Sequence, residues 1–392
     1  MFTICYLSFA LILGFLFLPT PAPAALYYLF IEACRTSVSR KSRLRLFAHL
    51  FAILSFFPVL ILFGPIDLLL SLVYQSFRPS PPPIFICGTP RSGSTLLHRL
   101  IIQSSNKLYG ITHFEWRYPS LTFQLLAKIT GLKSYLSSKN YWRRSAVSDL
   151  VSKMHPNKMG DYEEDAILFE ERVGYHPYQF LHLPLASLNW YFSLSPSDLV
   201  GGFFSVSAWL FRLYRMTLLF LYPLKHPALI FVSKEVASNE KLESLYQLFP
   251  GSRFIVLTRH PAQYLSSLKP LLEKSTISKT SSTDHLSDSS WWDSWYSWLC
   301  WQARTAASFY TSKWATGSHR LMHVRFETLV SEPRSQMSDI FSFLGLPTDE
   351  CFHECLDRFE LSQANRSRGY DYVPVEVDLR DFSDYLRLFY NE

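Results

Sequence analysis

The stretch Ile84-Phe85-Ile86-Cys87-Gly88-Thr89-Pro90-Arg91-Ser92-Gly93-Ser94-Thr95-Leu96-Leu97 concentrates residue types able to hold an anion. An apolar run enters a turn with glycines at 88 and 93, and a helix is expected to follow over Ser94–Gln103. That arrangement aims backbone N–H groups and a helix N-terminus at one point, which suits a phosphate or sulfate group. The pattern nearly satisfies G-x4-G-K-[ST], but Ser94 stands where a nucleoside-triphosphate enzyme has its Lys. That Lys serves the β- and γ-phosphates. Arg91 is the only cation in the loop, so the anion expected is a 5′-phosphate group with no γ-phosphate to hold.

A second block, Arg253-Phe254-Ile255-Val256-Leu257-Thr258-Arg259-His260-Pro261, reads as a strand running into a turn, with Ser267 eight residues beyond Arg259. A guanidinium makes charge-assisted, often bidentate bonds to phosphate, and a nearby hydroxyl adds another. Ser266 is adjacent and serves equally if the helix phase differs. The structural alternative for Arg259 is a cap on the sheet edge. A third block runs from Leu321-Met322-His323-Val324-Arg325 to Phe343-Leu344-Gly345-Leu346-Pro347 and reads as a late strand and helix.

Pro90-Arg91-Ser92-Gly93-Ser94-Thr95-Leu96-Leu97 resembles the 5′-phosphosulfate loop of the PAPS-dependent sulfotransferases, in the PRSGTTLL branch that includes the tyrosylprotein and many carbohydrate enzymes. The resemblance implies that Arg91, Ser92, Gly93, Ser94 and Thr95 cradle the 5′-phosphosulfate. It also implies that Arg259 and Ser267 hold the 3′-phosphate. The donor is then PAPS, released as PAP, with no metal required. Sulfuryl transfer is an in-line displacement that needs a base for the acceptor hydroxyl and cations for the sulfuryl and leaving oxygens. The same resemblance assigns the leaving oxygen to Arg91, the base to Glu115 and the sulfuryl oxygens to Lys234. Lys234 ends a strand 25 residues before Arg259, but Val236 stands where the family commonly has Pro. Each role has a structural alternative: a capping or surface Glu, and a solvated strand-end Lys. A kinase-like phosphotransferase and a non-catalytic nucleotide-binding membrane protein are the competing functions. The missing loop Lys and the lack of an acidic metal-binding strand end speak against the kinase.

Such groups need rigid supports. Ile84–Cys87, Ala228–Val232, Arg253–Leu257 and Leu321–Val324 read as buried strands. Helices are expected over Asn239–Phe249, Pro261–Leu272, Trp291–Phe309 and Ser335–Leu344. Alternating strands and helices predict an α/β fold, a P-loop-like three-layer arrangement around a mostly parallel sheet. Residues 114–225 read as an insertion between strands, with a core helix over Leu199–Leu224 and a helix start at Asp161-Tyr162-Glu163-Glu164-Asp165. The Ser/Thr-rich Lys274–Ser290 reads as a mobile loop. Trp291, Trp295, Trp298 and Trp301 recur at helical spacing and form either core or an aromatic face for sugar rings or lipid. Arg366-Ser367-Arg368 reads as a late basic turn over the 3′-phosphate, and Asn365-Arg366-Ser367 is also a glycosylation sequon.

Composition sets the remaining bounds. The chain has 392 residues, 48% hydrophobic and 18% charged, with a net charge of +6. A chain this apolar buries enough surface to fold. Through residue 80, Arg35, Arg40, Lys41, Arg43, Arg45 and Arg78 face only Glu32 and Asp67, so four of the six net charges lie there. The near-neutral remainder excludes a nucleic-acid partner. The same region carries two uncharged runs, about 3–31 and 46–73 apart from Asp67, on either side of the basic cluster. Residues 1–78 are therefore expected to anchor the chain in a membrane, with 79–83 a Pro-rich linker and 84–392 the sulfotransferase domain. The basic cluster should face the cytoplasm and place the domain in a lumen, such as that of the Golgi. Two alternatives stand: cleavage at Ala22-Pro23-Ala24, and a hairpin that does not cross. The acceptor expected is a hydroxyl on a carbohydrate or glycolipid. Six cysteines form no disulfide framework by spacing, and Cys351, His353 and Cys355 read as structural rather than metal-binding.

Overall fold

The computed structural model describes chiefly residues 39–77, 81–139, 146–164, 228–364 and 374–392, a few isolated positions within those ranges excepted, together with Phe30, Ile31, Ala33, Cys34, Ile167 and Leu181. The expected helix over Leu199–Leu224, the turn at Arg366–Arg368, Asn365 and most of the first apolar run lie outside the described residues.

Five strands form one sheet: β1 (Ile84–Gly88), β2 (Leu108–Tyr109), β3 (Ile230–Val236), β4 (Arg253–Thr258) and β5 (Leu321–Arg325), in the order β2-β3-β1-β4-β5. Every pairing between them is parallel. Central strands of such a sheet are covered on both faces, which is why β1 is buried at every position. Register alternation divides the core. Phe85, Cys87, Phe254 and Val256 enter one hydrophobic cluster, while Ile84, Ile86, Val232, Ile255 and Leu257 enter another on the opposite face.

On the second face lie α3 (Ser94–Gln103), α12 (Pro333–Leu344) and α13 (Glu350–Ala364). The first face carries α9 (Pro261–Thr280), α10 (Ser289–Ala315) and α14 (Ser383–Tyr390). Trp291, Trp295 and Trp298 of α10 are buried in that cluster, so the Trp repeat is core. The expected α/β architecture with helices on both faces is what forms.

Three expectations need correction. β3 runs on to Val236, so Lys234 lies inside the strand rather than at its end; it is 1% exposed, and its ammonium is paired rather than solvated. The expected loop from Lys274 begins as helix, because α9 continues to Thr280. Its hydroxyl-rich end is buried through hydrogen bonds: Ser42 Oγ and Arg45 Nη1 donate to the carbonyls of Thr280 and Ser278 at 3.2 and 2.7 Å.

The third correction concerns membrane spans. The second apolar run is divided between α1 (Arg40–Leu54) and α2 (Phe57–Phe77), and among the described residues no helix is long and apolar enough to cross a membrane. Both helices are built onto the domain. Leu46, Leu50 and Ile53 of α1 enter the first core cluster, and α1 packs on α9. α2 contains Pro65 and packs on α5 (Leu121–Ile129). Asp67 Oδ1 accepts hydrogen bonds from Thr122 N and Oγ1 at 3.0 and 2.6 Å.

Candidate functional site

Parallel sheets bind ligands beyond the carboxyl ends of their strands, where the connections diverge to opposite sides. Here β1 and β4 are neighbours whose following segments diverge, and the loop between β1 and α3 fills the crevice. Two glycines are needed to shape it. A Cβ at Gly88 would lie 2.2 Å from Leu257 O, and one at Gly93 would lie 2.3 Å from the Phe326 ring. Gly93 also has φ +90, a left-handed conformation open chiefly to glycine, and it precedes the first turn of α3. Arg91 itself has φ +65. A non-glycine residue there costs about 1–3 kcal/mol, a strain that gathers at functional sites. Ser92 is fully buried, and its Oγ has no hydrogen-bond partner among the described residues.

The loop draws the second block to it. Arg91 Nε donates to Ser267 Oγ at 3.0 Å, and Arg91 Nη2 donates to Met154 O at 3.2 Å. Arg259 Nη1 donates to the Arg91 carbonyl at 3.1 Å while its guanidinium lies 4.5 Å from the centre of the Phe326 ring. Arg91, Arg259 and Ser267 are therefore one cluster at the ends of β1 and β4. Ser266 does other work: its Oγ donates to Ala262 O and accepts from Val375 N, tying α9 to the C-terminal segment.

The third cation arrives from β3. Lys234 Nζ donates to Thr95 Oγ1 at 2.8 Å and stands 2.5 Å from Glu163 Oε1, with Glu164 Oε2 at 3.7 Å. Glu163 is held there by its neighbours. Its N–H donates to Ile111 O, its carbonyl accepts from Trp116 Nε1, and Thr112 pairs antiparallel with Tyr162. His155 Nε2 is 3.8 Å from Glu163 Oε2, which has no hydrogen-bond partner among the described residues although it is buried. Burial alone would raise the Glu163 carboxyl, but the Lys234 ammonium, then His155, hold it well below the usual carboxylate range. Burial lowers His155 to about 4 and outweighs the raising effect of Glu163, so the imidazole is neutral at pH 7.

Glu115 occupies α4 (His113–Arg117) and is 4% exposed. Its Oε2 accepts from Thr112 N and Oγ1, both at 2.9 Å, completing a capping box with Thr112. Its Oε1 accepts from Lys133 Nζ at 3.1 Å. Lys133 belongs to α6 (Leu132–Ser137). The capping alternative raised by the sequence describes what this carboxylate does.

Glu163 is a group to which the sequence assigns no role, although the family resemblance implies acids near it in contact with substrate. The acid run Asp161–Asp165 reads as a helix start, but residues 161–164 are not helical and bond to Ile111–His113, with Glu163 N–H donating to Ile111 O and His113 N–H donating to Asp161 O. A carboxylate between two others gives no local signal of burial; only the position of β3 identifies it. Cys351 Sγ donates to Gln103 O, and among the described residues no group of three or more His, Cys, Asp or Glu is arranged to hold a metal.

The fold matches the crystal structure of sulfotransferase STF1 from Mycobacterium tuberculosis H37Rv with a TM-score of 0.60 and 15% identity, over 95% of this chain and 92% of that one. Sulfotransferase STF9 from Mycobacterium avium matches with a TM-score of 0.51 and 14% identity, over 94% of this chain and 96% of that one. At such identities the likeness is one of fold. No curated protein sequence matches the chain. The profile of the sulfotransferase family matches residues 82–350, the span that holds the loop, the three cations and Glu163, and the chain belongs to that family.

Proposed function

We propose that the protein transfers a sulfuryl group from PAPS to a hydroxyl acceptor, with a carbohydrate or glycolipid as the acceptor class. The observation that carries the reading is the Lys234 ammonium placed between Thr95 of the loop and Glu163. PAPS, when bound, supplies the sulfuryl group and the phosphate that leaves with it. The residues suit such a group: an orphaned buried Ser92 hydroxyl in the loop, glycines leaving room for backbone contact, and guanidiniums at 91 and 259.

In this proposal Gly93, Ser94 and Thr95 present the start of α3 to the 5′-phosphate, and Arg91 neutralises the leaving oxygen. Arg259 and Ser267 take the 3′-phosphate. Lys234 turns from Glu163 toward the sulfuryl oxygens. That move relieves Glu163 of its strongest acidifying partner, so its basicity rises toward what burial favours. Glu163 Oε2 then accepts the proton of the acceptor hydroxyl. The base role passes to Glu163 rather than Glu115 because both Glu115 oxygens already hold hydrogen bonds.

Incubation of the full chain with radiolabelled PAPS and a panel of carbohydrate and glycolipid hydroxyls tests the proposal. Labelled product supports it. PAP binding without transfer to any acceptor points to a non-catalytic scaffold, and ATP-dependent phosphorylation points to the kinase reading.

A further inference from the structure

Helix α1 is apolar on two sides, and the protein core covers one of them. Leu46, Leu50 and Ile53 are buried, while Leu44 and Phe51 are 71% and 72% exposed. Apolar side chains left exposed together on one face of a helix mark an interaction surface. The pattern continues along the neighbouring helices. On α2, Leu62, Leu69 and Val73 are exposed at helical spacing, whereas Asp67 is buried against α5. On α5, Leu126 and Ile129 are exposed, Ile129 at 73%. α2 follows α1 after two residues and packs on α5, and α5 packs on α6, so these helices are neighbours in the chain or in the fold.

Charge identifies the occupant. α1, α2, α5 and α6 carry Arg40, Lys41, Arg43, Arg45, Lys128 and Lys133 against a single acid, the buried Asp67. Arg45 and Lys133 turn inward to Ser278 and Glu115, while Arg40, Lys41 and Lys128 remain exposed. An isologous second copy seated on this face would set cations against cations. A leaflet with anionic headgroups accepts both the apolar side chains and the cations.

We propose that α1, α2 and α5 form an in-plane membrane-docking surface, seated in one leaflet of an anionic bilayer without crossing it. The pairing of α1 with α9 and of Asp67 with Thr122 keeps one side of these helices on protein, which sets the depth of insertion. This inference stands independently of sulfuryl transfer.

Flotation of the full chain with phosphatidylcholine–phosphatidylglycerol vesicles tests it, and needs neither nucleotide nor turnover. Binding is expected to be strong with the mixed vesicles and weak with phosphatidylcholine alone. Phe51→Glu and Ile129→Glu should each weaken binding by about tenfold or more. Arg40→Glu should remove about fivefold of the preference for anionic lipid. PAP affinity should stay unchanged in all three variants. Hydrogen exchange on the unmodified chain gives a readout that no folding defect can disturb: residues 40–54 and 121–129 should gain protection when mixed vesicles are added. Absence of flotation, flotation unaffected by Phe51→Glu and Ile129→Glu, or no protection of these helices would overturn the proposal. So would a dimer that Phe51→Glu dissociates in the absence of vesicle binding, which would assign the face to a second copy. Flotation unchanged by the variants would instead assign anchoring to another segment, such as residues 1–29.

Discussion

Lys234 Nζ and Glu163 Oε1 stand 2.5 Å apart with both side chains almost completely buried, and the same ammonium reaches Thr95 Oγ1 of the anion loop. A buried pair of this kind is weak support for stability in itself, since desolvation of both charges opposes their attraction. Its position inside β3, with the ammonium within reach of Thr95 of the loop, gives it a chemical use. It joins the donor-side loop to the carboxylate proposed to accept the proton.

Lys234→Met or Glu163→Gln alone should abolish transfer. Lys234→Met should also destabilise the fold by about 3–5 kcal/mol, because it leaves a buried charge unpaired. The double variant Lys234→Met with Glu163→Leu should recover most of that stability and none of the activity. Urea unfolding and radiolabelled transfer, run on the same preparations, separate the two effects.

Arg91→Ala should lose PAP binding and turnover, and Arg91→Lys should not rescue them, because an ammonium lacks the planar fork that spans two acceptors. Ser267→Ala removes a single neutral hydrogen-bond partner and should weaken PAP by about fivefold. Calorimetric titration with PAP checks both. Equal losses at Ser267 and Arg91 would contradict the division of roles.

Glu115→Gln separates the two carboxylates. Loss of a general base costs about a hundredfold or more, whereas an impaired capping box costs about 0.5–2 kcal/mol of stability. The variant should melt at a lower temperature and keep its turnover within about tenfold of the original. A hundredfold fall in turnover with unchanged PAP affinity would return the base role to Glu115.

Gly93→Ala should prevent the loop from forming, because its Cβ would meet the Phe326 ring at 2.3 Å. Gly131 provides the comparison: its φ is +75, but nothing lies within 4 Å of an added Cβ. Gly131→Ala should cost only the backbone strain, about 1 kcal/mol. PAP binding and thermal melting of the two variants should therefore diverge.

Acidification should destabilise the protein through His98. Its Nε2 donates to the Val232 carbonyl at 3.0 Å, and burial, then Lys234, lowers its pKa to about 3. The unfolded chain binds a proton near pH 6.5 that the folded chain refuses, so stability rises with pH between about 3 and 6.5. At pH 5 this one residue accounts for about 2 kcal/mol of lost stability relative to pH 7. His98→Gln keeps a donor for Val232 and should flatten the slope of melting temperature against pH by that amount.

Much of the architecture was legible locally. Apolar runs bounded by turn residues marked β1, β4 and β5 to within a residue at each end, and the glycine spacing placed the anion loop and the start of α3. Arg91 and Arg259 follow β1 and β4 and Ser267 lies on α9, so their meeting depends on β1 and β4 being neighbours in the sheet. The expected loop at Lys274 is helix instead because polarity is not exposure: Thr280 Oγ1 bonds the Thr276 carbonyl within α9, and Ser42 and Arg45 of α1 donate to α9 carbonyls.

The sequence by itself determined the family, the anion loop and the residue types able to hold anionic groups, because each depends on neighbours within a few positions. Tertiary structure alone decided which carboxylate lies beside Lys234, since Glu163 and Glu115 differ in pairings made across 71 and 18 residues. It also decided the fate of the second apolar run. Apolar length sets whether a segment can leave water, but only the partners of α1 and α2, the core against α9 and Thr122 against Asp67, determine how much of their surface is left to face anything else.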